Sequence, residues 1–86
     1  MSEIESLKFD IIKNFGTPCA VLDLNVLEAN ITRVQKLCDK AGVSNRPHIK
    51  THKSGEIARM QLNAGASGVT CQKLGEAEVM ASAGVK

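Results

Sequence analysis

The sequence predicts an α/β fold: the first βα units of a parallel sheet that closes, in a longer chain, into a (β/α)₈ TIM barrel. Three observations predict it. Three short apolar, strand-like runs are each followed by a stretch with helical spacing. The connections between them are short, which suits parallel strands joined by right-handed crossovers. Three parallel strands also leave two open edges and two faces that need covering, more than these elements supply.

Each element can be justified in turn. Residues 1–16, MSEIESLKFDIIKNFG, carry scattered charges and no apolar core with a cleavage site, so they read as a leader segment and not as a signal peptide. After Gly16-Thr17-Pro18, the run Cys19-Ala20-Val21-Leu22-Asp23-Leu24 reads as a buried strand entered from a turn. Asn25-x-x-Glu28 resembles a capping box, and Leu27, Ile31, Val34 and Cys38 follow at helical spacing as far as Gly42. The second unit pairs a strand over His48–Thr51 with a helix capped by Ser54. Its stripe runs through Ile57, Met60 or Gln61, and Ala64 to Gly65. The third has a strand at Gly68–Gln72 and a helix from Leu74 to Ala83, ended by Gly84. Val85-Lys86 resembles the first step of a fourth strand. A full barrel takes ~250 residues, so residues 17–86 are expected to form about a third of one.

Composition excludes several classes of function. Eleven Lys and Arg against nine Asp and Glu give a net charge of +2, too small for a nucleic-acid partner. No apolar run approaches the roughly 20 residues that span a bilayer. Cys19, Cys38 and Cys71 are odd in number and form no C-x-x-C pair, so neither a disulfide framework nor a zinc site is indicated. A reducing, cytoplasmic setting follows as the default.

The chemistry concentrates in Arg46-Pro47-His48-Ile49-Lys50-Thr51-His52-Lys53-Ser54, RPHIKTHKS. Side chains alternate along an extended chain, so Arg46, His48, Lys50 and His52 share one face and Pro47, Ile49 and Thr51 the other. In a barrel, Ile49 and Thr51 then face the helices, while Lys50 and His52 face the axis near the C-terminal end, where active sites lie. An ammonium buried there must be paired or reactive, since desolvation favours the neutral amine that attacks aldehydes. On a surface strand the same lysine is simply solvated. His48 and His52 do not make a metal pair: four strand residues span roughly 13 Å, whereas His nitrogens bind zinc at ~2.0–2.1 Å. A phosphate- or nucleic-acid-binding basic patch is disfavoured because no aromatic side chains adjoin it for stacking.

RPHIKTHKS, Ala64-Gly65-Ala66, GVTCQKLGEAEVMASAG and the opening TPCAVLDLNVLEANI together resemble the D-threonine aldolase and D-serine dehydratase family. That family is a branch of the alanine racemase-like, fold type III pyridoxal phosphate enzymes. The resemblance runs from about Thr17 to Lys86 and implies an alanine racemase N-terminal type barrel. It implies pyridoxal 5'-phosphate carried as a Schiff base on Lys50, with Lys53 a weaker rival. His52 and Gln72 are candidate cofactor contacts, each with a structural role as the alternative. The implied activity is that of a lyase on β-hydroxy D-amino acids, by retro-aldol cleavage or by dehydration. Non-catalytic cofactor-binding barrels and inactive fragments are the alternatives. A divalent metal is implied for the full-length protein, with ligands outside this segment, as is a homodimer. The 86 residues alone are expected to be inactive.

Overall fold

In the computed structural model, which describes residues 2–85, four helices succeed one another: α1 (Glu3–Phe15), α2 (Leu24–Ala41), α3 (Gly55–Ala64) and α4 (Leu74–Ser82). The last three are the helices of the three expected units. The first falls within the segment read as a leader. Its signals are local: Ser2 Oγ accepts the Glu5 N–H at 3.1 Å, and Ile4, Leu7, Ile11 and Phe15 recur at helical spacing. No residue of α1 is buried, so nothing outside the helix marks it out.

The cap of α2 lies two residues earlier than the sequence suggests. Asp23 Oδ1 accepts the N–H groups of Asn25 (3.0 Å) and Val26 (3.2 Å), so Asp23 is the N-cap and Asn25 already belongs to the first turn. A carboxylate outcompetes a carboxamide here because it also meets the positive end of the helix dipole. Ser54 caps α3 as expected, its Oγ accepting the Ile57 N–H at 3.2 Å.

All three later helices end in the same way. Val43, Ala66 and Val85 donate back to Cys38 (3.0 Å), Gln61 (3.0 Å) and Met80 (2.9 Å), while Gly42, Gly65 and Gly84 donate to Asp39 (3.1 Å), Leu62 (3.0 Å) and Ala81 (3.0 Å). These are the paired bonds of the Schellman motif, which needs a positive φ at the glycine. Gly42 has φ 72° and Gly65 φ 125°.

The sheet is present as a single parallel bridge between His48 and Thr70. The Ile49 N–H donates to the Thr70 carbonyl at 3.0 Å and the Thr70 N–H to the Pro47 carbonyl at 2.8 Å. The second and third expected strands are therefore neighbours and parallel. The first is different: Cys19–Leu24 forms no ladder among the described residues, and Val21 and Leu22 are 62% and 58% exposed. Parallel ladders need cover on both faces. Here one side of the bridge is covered, with Ile49 buried and His48 and Lys50 exposed.

Ile49 anchors the core, fully buried against Ala58, Met80 and Val85, with Leu62, Val69 and Cys71 half-buried around it. Arg59 Nη1 donates to the Ala83 carbonyl at 2.6 Å, tying α3 to the end of α4. Val85 thus belongs to the core; Lys86, the other residue of the expected fourth strand, lies outside the described residues. The radius of gyration is 15.7 Å, against about 12 Å for a compact globule of this length. α1, none of whose residues is buried, and the exposed run at residues 19–22 lie outside the Ile49 core, whereas α2 packs against α3.

Candidate active site at the lysine turn

The bridge sets the register of the two strand ends. Lys50 lies two residues beyond His48 and Gln72 two residues beyond Thr70, so both occupy equivalent positions past the C-terminal end of the pair. Both are exposed. His48 Nδ1 accepts the Lys50 N–H at 3.1 Å, and Thr70 Oγ1 donates to the Arg46 carbonyl at 3.4 Å. On the neighbouring strand, the Gln72 N–H donates to Glu76 Oε1 at 3.3 Å. Glu76, in the first turn of α4, thus reaches back past the Lys73 cap position to the residue before it, a local contact four residues apart.

The extended alternation does not continue to His52. Residues 50–52 form a turn, closed by the Lys53 N–H donating to the Ile49 carbonyl at 2.8 Å. Lys53 completes it at φ 53°, in the left-handed region that non-glycine residues seldom adopt. His52 is consequently half-buried and does not share the open face of Lys50. It lines a cleft with Leu22 and Leu27 on one side and Ile57 and Gln61 on the other. Its Nδ1 accepts the Ser54 N–H at 2.9 Å.

The guanidinium of Arg46 lies beside Gly68, where a Cβ would come within 3.1 Å of one of its nitrogens.

An aldehyde cofactor such as pyridoxal phosphate fits this donor set at its carbonyl end. A primary amine stands open at Lys50, and a carboxamide at Gln72 occupies the matching place on the next strand. Among the described residues no three His, Cys, Asp or Glu side chains gather as they would to hold an ion.

Comparison with known proteins agrees with this architecture. The family model for the alanine racemase N-terminal domain matches residues 22–86. A D-threo-3-hydroxyaspartate dehydratase of Delftia sp. (strain HT23) is 47% identical over 75 residues, covering 87% of this chain and 20% of that protein. A D-threonine aldolase of Arthrobacter sp. is 44% identical over 77 residues, covering 90% of this chain and 20% of that protein. The crystal structure of D-threonine aldolase from Filomicrobium marinum superposes with a TM-score of 0.78 at 44% identity, over 81% of this chain and 19% of that one. The chain thus spans about 20% of the length of the curated relatives it matches. The likeness bears out the fold class, with α2, α3, α4 and the parallel bridge as the opening elements of such a barrel.

Proposed function

This chain belongs to the alanine racemase N-terminal domain family, and we propose that residues 17–86 are the opening part of the barrel of a pyridoxal-phosphate-dependent lyase acting on β-hydroxy D-amino acids. Residues 1–16 precede that barrel as a separate segment. The observation that supports the proposal is the register of the His48–Thr70 bridge, since Lys50 and Gln72 each follow it by two residues. The names of the similar proteins support the substrate class.

Pyridoxal phosphate, when bound, supplies an aldehyde carbon for amine exchange and a ring that takes up an electron pair. Lys50 would hold the cofactor through its primary amine, and that amine is the group that would accept a proton from the substrate. Gln72 offers a hydrogen-bond donor and acceptor beside it. The divalent metal implied by the resemblance has its ligands outside this segment and takes no part here. A homodimer belongs to the proposal for the full-length protein. So does a cytoplasmic setting, supported by unpaired Cys19, Cys38 and Cys71 and by the lack of any described helix long and apolar enough to cross a membrane.

One observation favours a second reading. Lys50 is exposed, so this segment suits cofactor attachment without turnover. Both readings meet one experiment: incubation with pyridoxal phosphate, borohydride reduction and peptide mapping by mass spectrometry. A single adduct on Lys50, lost in Lys50→Ala and kept in Lys53→Ala, is the expected result. Labelling scattered over surface lysines would remove the assignment.

A further inference from the structure

The cleft between α2 and α3 holds two buried polar atoms with opposite needs. His52 Nε2 and Gln61 Oε1 are each shielded from solvent and without a hydrogen-bond partner. Both residues line the same cleft. The tautomer of His52 follows from its other nitrogen. Nδ1 accepts the Ser54 N–H, so it carries a lone pair, and the single proton of the neutral ring is on Nε2. The residues that carry this ring N–H without an acceptor and this amide oxygen without a donor line one cleft, together with Leu22, Leu27 and Ile57 and the polar Asn30 and Asn45.

A buried donor and acceptor left apart are costly, and a pairing between them removes both deficits at once. Their positions give that pairing a consequence. His52 is the last residue of the turn over residues 50–52, and Gln61 stands in the last turn and a half of α3. We propose that His52, as a neutral Nε2–H imidazole, and Gln61 form a donor–acceptor latch that fixes the lysine turn against α3. His52 is thereby a positioning residue for Lys50. Its consequence for Lys50 rests on the assignment of Lys50 as the cofactor-bearing amine; the latch itself does not.

The test uses the whole chain, uniformly ¹⁵N-labelled, with His52 assigned by the loss of its signals in His52→Asn. Long-range ¹H–¹⁵N correlation distinguishes the two tautomers and the cation directly. The expected pattern is the neutral Nε2–H form, with an Nε2 shift that moves in Gln61→Leu and is kept in Gln61→Glu, where an acceptor oxygen remains. The Nδ1–H tautomer, an imidazolium, or an Nε2 shift indifferent to Gln61→Leu would overturn the latch. Far-UV circular dichroism confirms that each variant retains its helices. Borohydride trapping then tests positioning: Lys50-selective labelling is expected to be lost in Gln61→Leu and kept in Gln61→Glu. Unchanged selectivity in Gln61→Leu would overturn the positioning role. Scattered labelling in the unmutated chain would instead sink the Lys50 assignment, leaving the tautomer spectrum to decide the latch.

Discussion

His48 and Thr70 stand opposite each other in a parallel bridge, held by Ile49 N–H to Thr70 carbonyl and Thr70 N–H to Pro47 carbonyl bonds of 3.0 and 2.8 Å. This pairing joins the second and third βα units, and it buries Ile49 between α3 and α4 while leaving Lys50 open. One residue beyond the bridge is thus the centre of the core; two residues beyond is the candidate amine.

Ile49 is therefore the residue on which the packing depends most. It is 0% exposed, whereas Ile4 on α1 is 79% exposed. Ile49→Ala is expected to destabilise the chain by about 2–5 kcal/mol and Ile49→Val by about 0.5–1.5 kcal/mol. Ile4→Ala should change stability by less than about 0.5 kcal/mol. Urea titrations followed by circular dichroism measure all three; equal midpoints for Ile49→Ala and Ile4→Ala would contradict the assigned core.

The cap of α2 gives a sharper comparison between neighbours. Asp23→Ala removes the oxygen that holds the Asn25 and Val26 N–H groups and should cost about 1 kcal/mol. Asn25→Ala should be neutral within about 0.5 kcal/mol. The reverse order in thermal melts would restore the capping role to Asn25.

Gly65 and Gly42 both need a positive φ, but they differ in surroundings. A Cβ at Gly42 meets nothing within 4 Å, whereas at Gly65 it would lie 3.1 Å from Gln35 Nε2. Gln35 is itself held, donating to Asp39 at 2.9 Å and accepting from Asn45 at 3.2 Å. Gly42→Ala should cost about 1–2 kcal/mol from backbone strain alone, and Gly65→Ala more. A double-mutant cycle with Gln35→Ala should return the excess; an additive cycle would place the whole effect in the backbone.

Hydrogen exchange should divide the helices by burial. No residue of α1 is buried, while Ile57 and Ala58 of α3 are. Amides of α1 are expected to exchange first and those of α3 around Ala58 last, since local opening is cheapest where few apolar contacts are broken. Protection in α1 equal to that in α3 would show that α1 has a packing partner.

Helix positions were legible because their signals are local. Ser54, Gly42, Gly65 and Gly84 act within a turn of their own sequence positions, through bonds that depend on residue type more than on the rest of the fold. Strand alternation also separated buried Ile49 from exposed Lys50 correctly. The alternation failed at His52, two residues on, because the chain had left the extended conformation. No residue between Lys50 and Lys53 is a glycine or proline to announce that turn. The helix over Glu3–Phe15 carries its signals, Ser2 and Glu5 at cap spacing and an apolar stripe, among scattered charges that blur its periodicity.

The sequence by itself determined the order of the three later helices and their terminators. Those features are settled by steric preference and hydrogen bonds within a few residues. Only the tertiary structure decided which strands pair, that Cys19–Leu24 lies unpaired, and that His52 turns from Lys50 into the cleft beside Gln61. Each of these depends on partners far away in the chain: Thr70 for His48, and α2 and α3 for His52. Local pattern cannot weigh distant partners, because the energy of burying a ring or completing a ladder exists only once the other side is in place.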